Sequence, residues 1–441
     1  MRPNSTLLRT VALVIAVALF VGLGVSTVYR AGPYQVQGAQ AGVTKLARWE
    51  RRLGFSLDES GNKYWGSKAH RCDFTVYTAA GSAVLNGADI YNAHNIRDWY
   101  YIYPPLFAVL LVPFALLSAL WASFAWYILS VALVVWTVRM CAVMVRTTLN
   151  FEGDPLVLYV IPPLLVLLSL MSALARGQAT PVLLWLFTAG LYYAWKRQDW
   201  RGGMCFAGGI LLKAFPVVLL AYFVWRKRWR FVAATLTATM VGAFIIPAAV
   251  YGWQGNINYL KEWMSKVGKP AAEMQSEGAD NPLYTQLLSM ELTRNQSFEA
   301  VFARVFRTNA ARPIAVSLGL VMAAAMIWVD WRTHGKADLL LLSAGVVWML
   351  LIVPISWSHY FMLLLLPLAV LVVMAVANDD HVTKLTARSA LIFYAVAALA
   401  LGGIKSLQLY GPLCWGAVGL WVALLSAARR SDAYRGRTSS M

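Results

Sequence analysis

The sequence predicts an all-α integral membrane protein, a bundle of about twelve transmembrane helices with two long extracytoplasmic loops carrying short amphipathic helices. Three observations carry that prediction. The 441 residues are 59% hydrophobic and only 13% charged, with a mean hydropathy of +0.59, whereas soluble domains carry roughly a quarter charged residues. Apolar runs near the length of a spanning helix, about 20 residues, recur along the chain. Polar sequence collects in only two long stretches, residues 31–102 and 252–311. Composition excludes a disordered chain and argues against a water-soluble enzyme. The net charge of +18 would suggest a nucleic-acid partner in a soluble protein. Here the basic residues cluster beside apolar runs, as in Arg226-Lys227-Arg228-Trp229-Arg230 and Arg429-Arg430, which is how membrane topology is encoded; no nucleic-acid partner is expected.

The first run, residues 8–28, follows Arg2 and Arg9 and lacks a small-residue cleavage site, so it reads as an uncleaved anchor with a cytoplasmic N-terminus. Further runs lie near 104–120, 122–145, 156–174, 179–195, 204–224, 231–250, 312–330, 338–355, 360–377, 388–403 and 410–427. The whole chain, 1–441, then reads as one polytopic domain. It comprises an anchor helix (1–30), a first extracytoplasmic loop (31–102), spans two to seven (103–251), a second extracytoplasmic loop (252–311), spans eight to twelve (312–428) and a cytoplasmic tail (429–441). Lys227, Arg332 to Lys336, Lys384 to Arg388 and Arg429 to Arg437 fall inside, as the charge rule requires. One loop disagrees: Lys196 to Arg201 lies outside by count, yet is basic. The following run holds Lys213-Ala214-Phe215-Pro216 at its middle, where a proline breaks a helix and a lysine must face protein or water. A pair of half-helices between 202 and 225 would put both basic loops inside, so the topology of 146–230 stays open. No repeat relates the two halves of the chain, which weakens a transporter reading.

Four scattered cysteines and five histidines without ligand spacing give no metal site and no disulfide framework. The chemistry-bearing residues lie elsewhere. Residues 74–85 fit a short helix with Asp73 at its N-terminal edge and Gly87 just past its end. Two roles compete for Asp73: a helix cap, or a general base at the mouth of a membrane cavity. Asp89 reads as a turn former, and Pro104 and Pro105 as the first turn of a helix. Tyr103 belongs to the outer interface, where aromatic residues are common, or faces substrate. Arg176-Gly177-Gln178 is a short polar turn. Lys213, a cation within an apolar run, lines a cavity or meets an anion, a lipid phosphate being the obvious one. Ser297 begins a helix with Phe298, Val301, Phe302 and Val305 on one face, an amphipathic segment for the outer leaflet. Asn295 and Gln296 at its entrance have the groups to bind sugar hydroxyls. His359 is either an interfacial histidine or a donor to a phosphate.

In this order, Asp73-Phe74 through Gly87-Ala88-Asp89-Ile90-Tyr91, Tyr103-Pro104-Pro105, Gly177-Gln178, Lys213-Ala214-Phe215-Pro216, Asn295-Gln296-Ser297 and Trp357-Ser358-His359-Tyr360 resemble glycosyltransferase family 87, over about residues 70 to 375. The resemblance implies a GT-C type membrane transferase that takes a sugar, most often mannose, from a polyprenyl-phosphate donor to a glycolipid or glycan acceptor. It works on the extracytoplasmic face of the cell membrane without nucleotide, metal or other cofactor. It also implies Asp73 as catalytic base and His359 at the donor phosphate. Arg176 stands where many relatives have Asn, which puts a sugar-binding role of that turn in doubt.

That chemistry needs one carboxylate to take the proton of the attacking hydroxyl. It also needs cations to stabilise a phosphate leaving group, for which Lys213, His359 and the nearby Arg71 are the candidates. A single displacement inverts the anomeric centre, and no second acid is required. The alternative is a lipid or sugar transporter of the envelope, with Lys213 and His359 as its substrate site.

Overall fold

The computed structural model describes residues 5–31, 55–57, 63–65, 72–95, 99–269, 293–307, 310–334 and 337–438. Arg71, most of the first long loop before it and residues 270–292 of the second lie outside the described residues. Among the described residues helix dominates, with one antiparallel pair of three-residue strands, Phe55–Leu57 and Lys63–Trp65. Among the described residues six helices are long and apolar enough to span a bilayer: Ala119–Thr148, Trp229–Tyr251, Ala311–Thr333, Ser358–Ala377, His381–Gly403 and Pro412–Arg430. A seventh candidate is Leu156–Leu165 with Leu167–Ala175, bent by 68°, where Pro162 and Pro163 remove the N–H groups that would hold the helix straight. The helices Ala311–Thr333 and His381–Gly403 are apolar yet largely uncovered, with Leu320, Val321, Ile392 and Leu399 each about two-thirds exposed. Such surface is stable only against lipid. The chain is a multi-pass membrane protein.

Contacts divide the chain into two units, 1–132 with 171–181, and 133–170 with 182–441. In the first, the helix Phe74–Leu85 packs on Pro105–Ala115 at Gly81, where a Cβ would lie 3.0 Å from the Leu111 carbonyl oxygen. Gly87 follows the first of these helices with φ +64°, and Pro104 and Pro105 open the second. Asp89 makes the turn assigned to it, its carboxylate accepting the Tyr91 N–H at 2.9 Å.

In the second unit, Asp338–Ile352 and Ser358–Ala377 are apolar on every side and buried on nearly every side, the pattern of central helices. Helix Asp199–Leu212 lies close along Trp229–Met240 because Gly203 lets the backbones meet; a Cβ there would sit 2.6 Å from the Phe231 carbonyl oxygen. The apolar run 204–224 is not one helix. It breaks after Leu212, passes Lys213 in extended conformation and resumes at Phe215 as a 3-10 turn and the helix Leu220–Trp225. The turn after Trp195 and the turn after Trp225 therefore sit at one end. Arg228 donates to the Ala194 carbonyl at 2.7 Å and pairs with Asp199. Of the two arrangements the sequence left open for this stretch, the hairpin of half-helices is the one present, and it returns both basic turns to the same side. Its first arm is 14 residues long, about 21 Å, so Lys213 lies that far from the basic end.

Candidate active site

In the first unit the site is built around the Arg176–Gln178 turn. Asp73 N–H donates to the Arg176 carbonyl at 2.8 Å and the Cys72 thiol to the same oxygen at 3.1 Å. Gly177 makes this approach workable. Its φ is +59°, and a Cβ on it would lie 2.7 Å from the Phe74 Cβ and 2.9 Å from the Cys72 Sγ. Asp73 stands at the N-terminal edge of its helix, as the sequence predicts, but it is helical in conformation and its side chain caps nothing. Its carboxylate instead accepts a hydrogen bond from the Gln178 side-chain amide, over 105 residues of sequence. Gln178 is buried, and its amide oxygen has no partner among the described residues. A buried acceptor left unsatisfied costs on the order of 1–3 kcal/mol, and such groups concentrate where a ligand completes the set.

Behind the carboxylate stands an aromatic wall. Phe74 stacks on Trp126 at 5.2 Å, whose indole N–H donates to the Gly177 carbonyl at 3.0 Å. The Tyr77 hydroxyl accepts the Ala179 N–H at 3.2 Å and shares a 2.7 Å hydrogen bond with Tyr103. Tyr103 is 7% exposed, and its ring belongs to this wall. Burial pushes the Cys72 thiol up to about 12, which keeps it protonated and able to serve as the donor it is here.

In the second unit Lys213 ends the helix Asp199–Leu212, where a helix terminus favours a cation. Its ammonium donates to the Tyr360 hydroxyl at 3.1 Å and lies 4.3 Å from that ring's centroid. Phe215 stacks on the Tyr360 ring at 4.9 Å and 17°. His359 is buried beside Tyr360, ring to ring at 4.8 Å, and roughly parallel to Trp357 at 6.4 Å. The Ser358 carbonyl is held by the Ser169 hydroxyl at 2.8 Å. Lys213 and His359, 146 residues apart in number, thus meet through Tyr360.

Asn295 and Gln296 do another task. Asn295 pairs with Trp357 as a β-bridge, its side chain donating to the Pro354 carbonyl at 2.9 Å and accepting from the Ser356 N–H at 2.9 Å. Gln296 donates to the Thr293 carbonyl at 2.6 Å and accepts from Leu413 N–H at 3.1 Å. The Asn295 amide braces the segment leading into His359, while the Gln296 amide ties its own turn to Leu413 and its backbone N–H donates to the Ser356 carbonyl at 2.7 Å. Ser297 does begin the helix Phe298–Phe306, its hydroxyl accepting the Ala300 N–H at 3.2 Å. The expectation of a helix lying on the outer leaflet is corrected, since Phe298, Val301 and Phe302 are buried in protein. Sequence reasoning did not single out Tyr77 or Tyr360. Tyr77 lies four residues after Asp73, hence on the same helix face, and Tyr360 directly follows His359; those spacings were the available signals.

A carboxylate held by a remote amide and a lysine at a helix break lie in a polytopic membrane protein. The model of glycosyltransferase family 87 matches residues 101–356, more than half of the chain. The chain belongs to glycosyltransferase family 87. It is 25% identical to the polyprenol-phosphate-mannose-dependent alpha-(1-2)-phosphatidylinositol mannoside mannosyltransferase of Mycolicibacterium smegmatis, over 70% of this chain and 71% of that one. The protein of the same description from Mycobacterium tuberculosis is also 25% identical, over 71% and 72% of the two chains. Among solved structures, ArnT from Cupriavidus metallidurans bound to undecaprenyl phosphate aligns with a TM-score of 0.40 at 14% identity, over 98% of this chain and 79% of that one, a likeness too loose to define the fold.

Proposed function

We propose that this glycosyltransferase moves mannose from a polyprenyl-phosphate donor to a lipid or glycan acceptor, with inversion, on the extracytoplasmic side of the cell membrane. The descriptions of the two mannosyltransferase relatives support the donor and its sugar. Asp73 takes the acceptor hydroxyl's proton as the oxygen bonds to the anomeric carbon. The bond from that carbon to the phosphate oxygen breaks, and its electron pair leaves with the lipid phosphate. Lys213 and His359 stabilise the charge gathering there, and Arg71 adds a further cation. Gln178 is a positioning residue that holds the plane of the carboxylate. Tyr103, Asn295 and Gln296 shape the surroundings: Tyr103 through Tyr77, Asn295 by its amide and Gln296 by its backbone N–H to the segment before His359. The finer architecture belongs to the same reading: a GT-C arrangement of about twelve crossings with both termini in the cytoplasm.

The single observation that carries this reading is the hydrogen bond between the Gln178 amide and the Asp73 carboxylate. A carboxylate used only as a cap would bond its own helix; one aimed by a remote amide is preorganised for proton transfer. The test is transfer of label from radiolabelled polyprenyl-phosphate mannose into membrane lipid extract, by purified wild type and by Asp73→Asn. The expected result is a new labelled lipid or glycan with wild type and a loss of about 10²- to 10⁴-fold with the variant. Comparable turnover by Asp73→Asn removes Asp73 from the mechanism. Movement of labelled donor across vesicles without a covalent product replaces the transferase reading with transport.

A further inference from the structure

Away from the chemistry, two turns repeat one design. Trp195-Lys196-Arg197-Gln198-Asp199-Trp200-Arg201 and Trp225-Arg226-Lys227-Arg228-Trp229-Arg230 each end one helix and begin the next. In each, one basic residue takes the left-handed conformation that usually falls to glycine: Arg197 at φ +61° and Lys227 at φ +52°. Their N–H groups close the turns onto Ala194 at 3.0 Å and Val224 at 2.9 Å. The turns line a common cavity of about 240 Å³, with Arg197, Arg226, Lys227 and Arg228 around it and Trp225 and Asp338 completing the wall.

Two of these cations are fixed. Arg226 pairs with Asp330 at 2.7 Å and Asp338 at 2.9 Å, and Arg228 pairs with Asp199. Four cations line the cavity against these three carboxylates, and Lys196, Arg201 and Arg230 lie on the same two turns, so positive charge is in surplus there. Trp200 and Trp229 are 56% and 59% exposed, large amphipathic rings of the kind that settle at headgroup depth. A basic pocket between helices at that depth suits the phosphate of an anionic lipid, and guanidinium groups match phosphate oxygens in pairs.

We propose that the twin turns form a receptor for the phosphodiester headgroup of an anionic glycerophospholipid. The site is separate from the transfer chemistry and does not depend on the sugar or the acceptor. Arg197 and Lys227 are the capturing cations, held in a strained backbone by turns that would close more easily with glycine.

The test uses the full-length protein in detergent, with phosphatidylglycerol, phosphatidylcholine or inorganic phosphate added, followed by native mass spectrometry and thermal unfolding. Wild type is expected to retain phosphatidylglycerol and to unfold at higher temperature with it, and to do neither with phosphatidylcholine. The R197G/K227G double variant relieves the strained turns, so its midpoint without lipid stays level or rises. Its affinity for phosphatidylglycerol falls about thirtyfold, as two interfacial cations would imply. Should that variant fail to fold, R197Q/K227Q gives the same reading of affinity. Unchanged phosphatidylglycerol retention by the folded variant overturns the site. Equal retention of phosphatidylcholine by wild type overturns the charge recognition. Stabilisation by inorganic phosphate as large as by phosphatidylglycerol overturns the lipid as its source.

Discussion

Asp73 and Lys213 both sit at a helix boundary, and the chain surrounds them in different ways. Around Asp73 every neighbour is locked: backbone to Arg176, side chain to Gln178, and an aromatic wall tied to Gly177 and Ala179. Lys213 donates to a hydroxyl and lies over the face of a ring, contacts that tolerate movement of a long flexible side chain. The difference matches what each role demands. A general base works only at a fixed angle and distance, whereas a cation serving a departing phosphate has to follow it.

Replacing Lys213 by Met should therefore have the largest effect after loss of the carboxylate itself. It keeps length and apolar bulk but removes the charge from the leaving group, so kcat should drop by about 10²- to 10³-fold. Tyr360→Phe keeps the ring beneath the ammonium and loses only the hydroxyl, so it should cost severalfold at most. Steady-state kinetics with labelled donor separates them; equal losses from the two would mean that Tyr360, and not the lysine charge, is what the reaction needs.

The locked half is tested through two glycines that share a left-handed backbone. Gly177 and Gly87 have φ of +59° and +64°. A Cβ on Gly177 collides with Phe74 and Cys72, while one on Gly87 meets nothing within 4 Å. Gly87→Ala should show backbone strain alone, about 1 kcal/mol of stability with activity kept. Gly177→Ala bears the same strain and also pushes the Asp73 segment away from its turn. A displacement near 1 Å costs about 10²-fold in rate. Activity normalised to folded protein checks the pair, and equal activities would show that the close approach is not what aims Asp73.

The same contrast explains what was legible beforehand. Local signals were sufficient for the helix Phe74–Leu85, for Asp89 as a turn former, for Pro104 and Pro105 at a helix start and for Ser297 as a cap, because each depends on a few adjacent residues. Tyr103 was read as an interfacial or substrate-facing ring, and Asn295 and Gln296 as amides able to bind sugar hydroxyls. Their partners, Tyr77, Pro354, Ser356 and Leu413, lie up to 117 residues away, beyond any local pattern. The side of the Lys196 to Arg201 turn stayed open for a related reason: span counting treats each apolar run as one crossing, and the break at Lys213 turns one run into a hairpin. The order of short motifs carried the family where no single motif did, and the matched family model bears that out.

The smallest predicted effect concerns stability and a residue the chemistry does not use. Glu299 is 5% exposed in the first turn of the helix Phe298–Phe306. Burial pushes its carboxyl above the ordinary range, against a weaker opposing pull from Arg312. A raised acid in the folded state means that folding favours the proton. The contribution is therefore fully present below the ordinary value of 4.5 and is lost as pH rises through the raised folded value, above which it is absent. Asp380 has the opposite sign, lowered chiefly by its hydrogen bonds to Thr383, but it is common to both proteins when wild type is compared with Glu299→Gln. The glutamine keeps the shape and cannot ionise, so its unfolding midpoint should lose the decline that wild type shows as pH is raised from 4.5 towards neutrality. Scanning fluorimetry in detergent across that interval reads the difference between the two curves. Parallel curves would mean that Glu299 is solvated as well in the folded protein as in the unfolded chain, and that the helix Phe298–Phe306 is less firmly covered than its buried phenylalanines indicate.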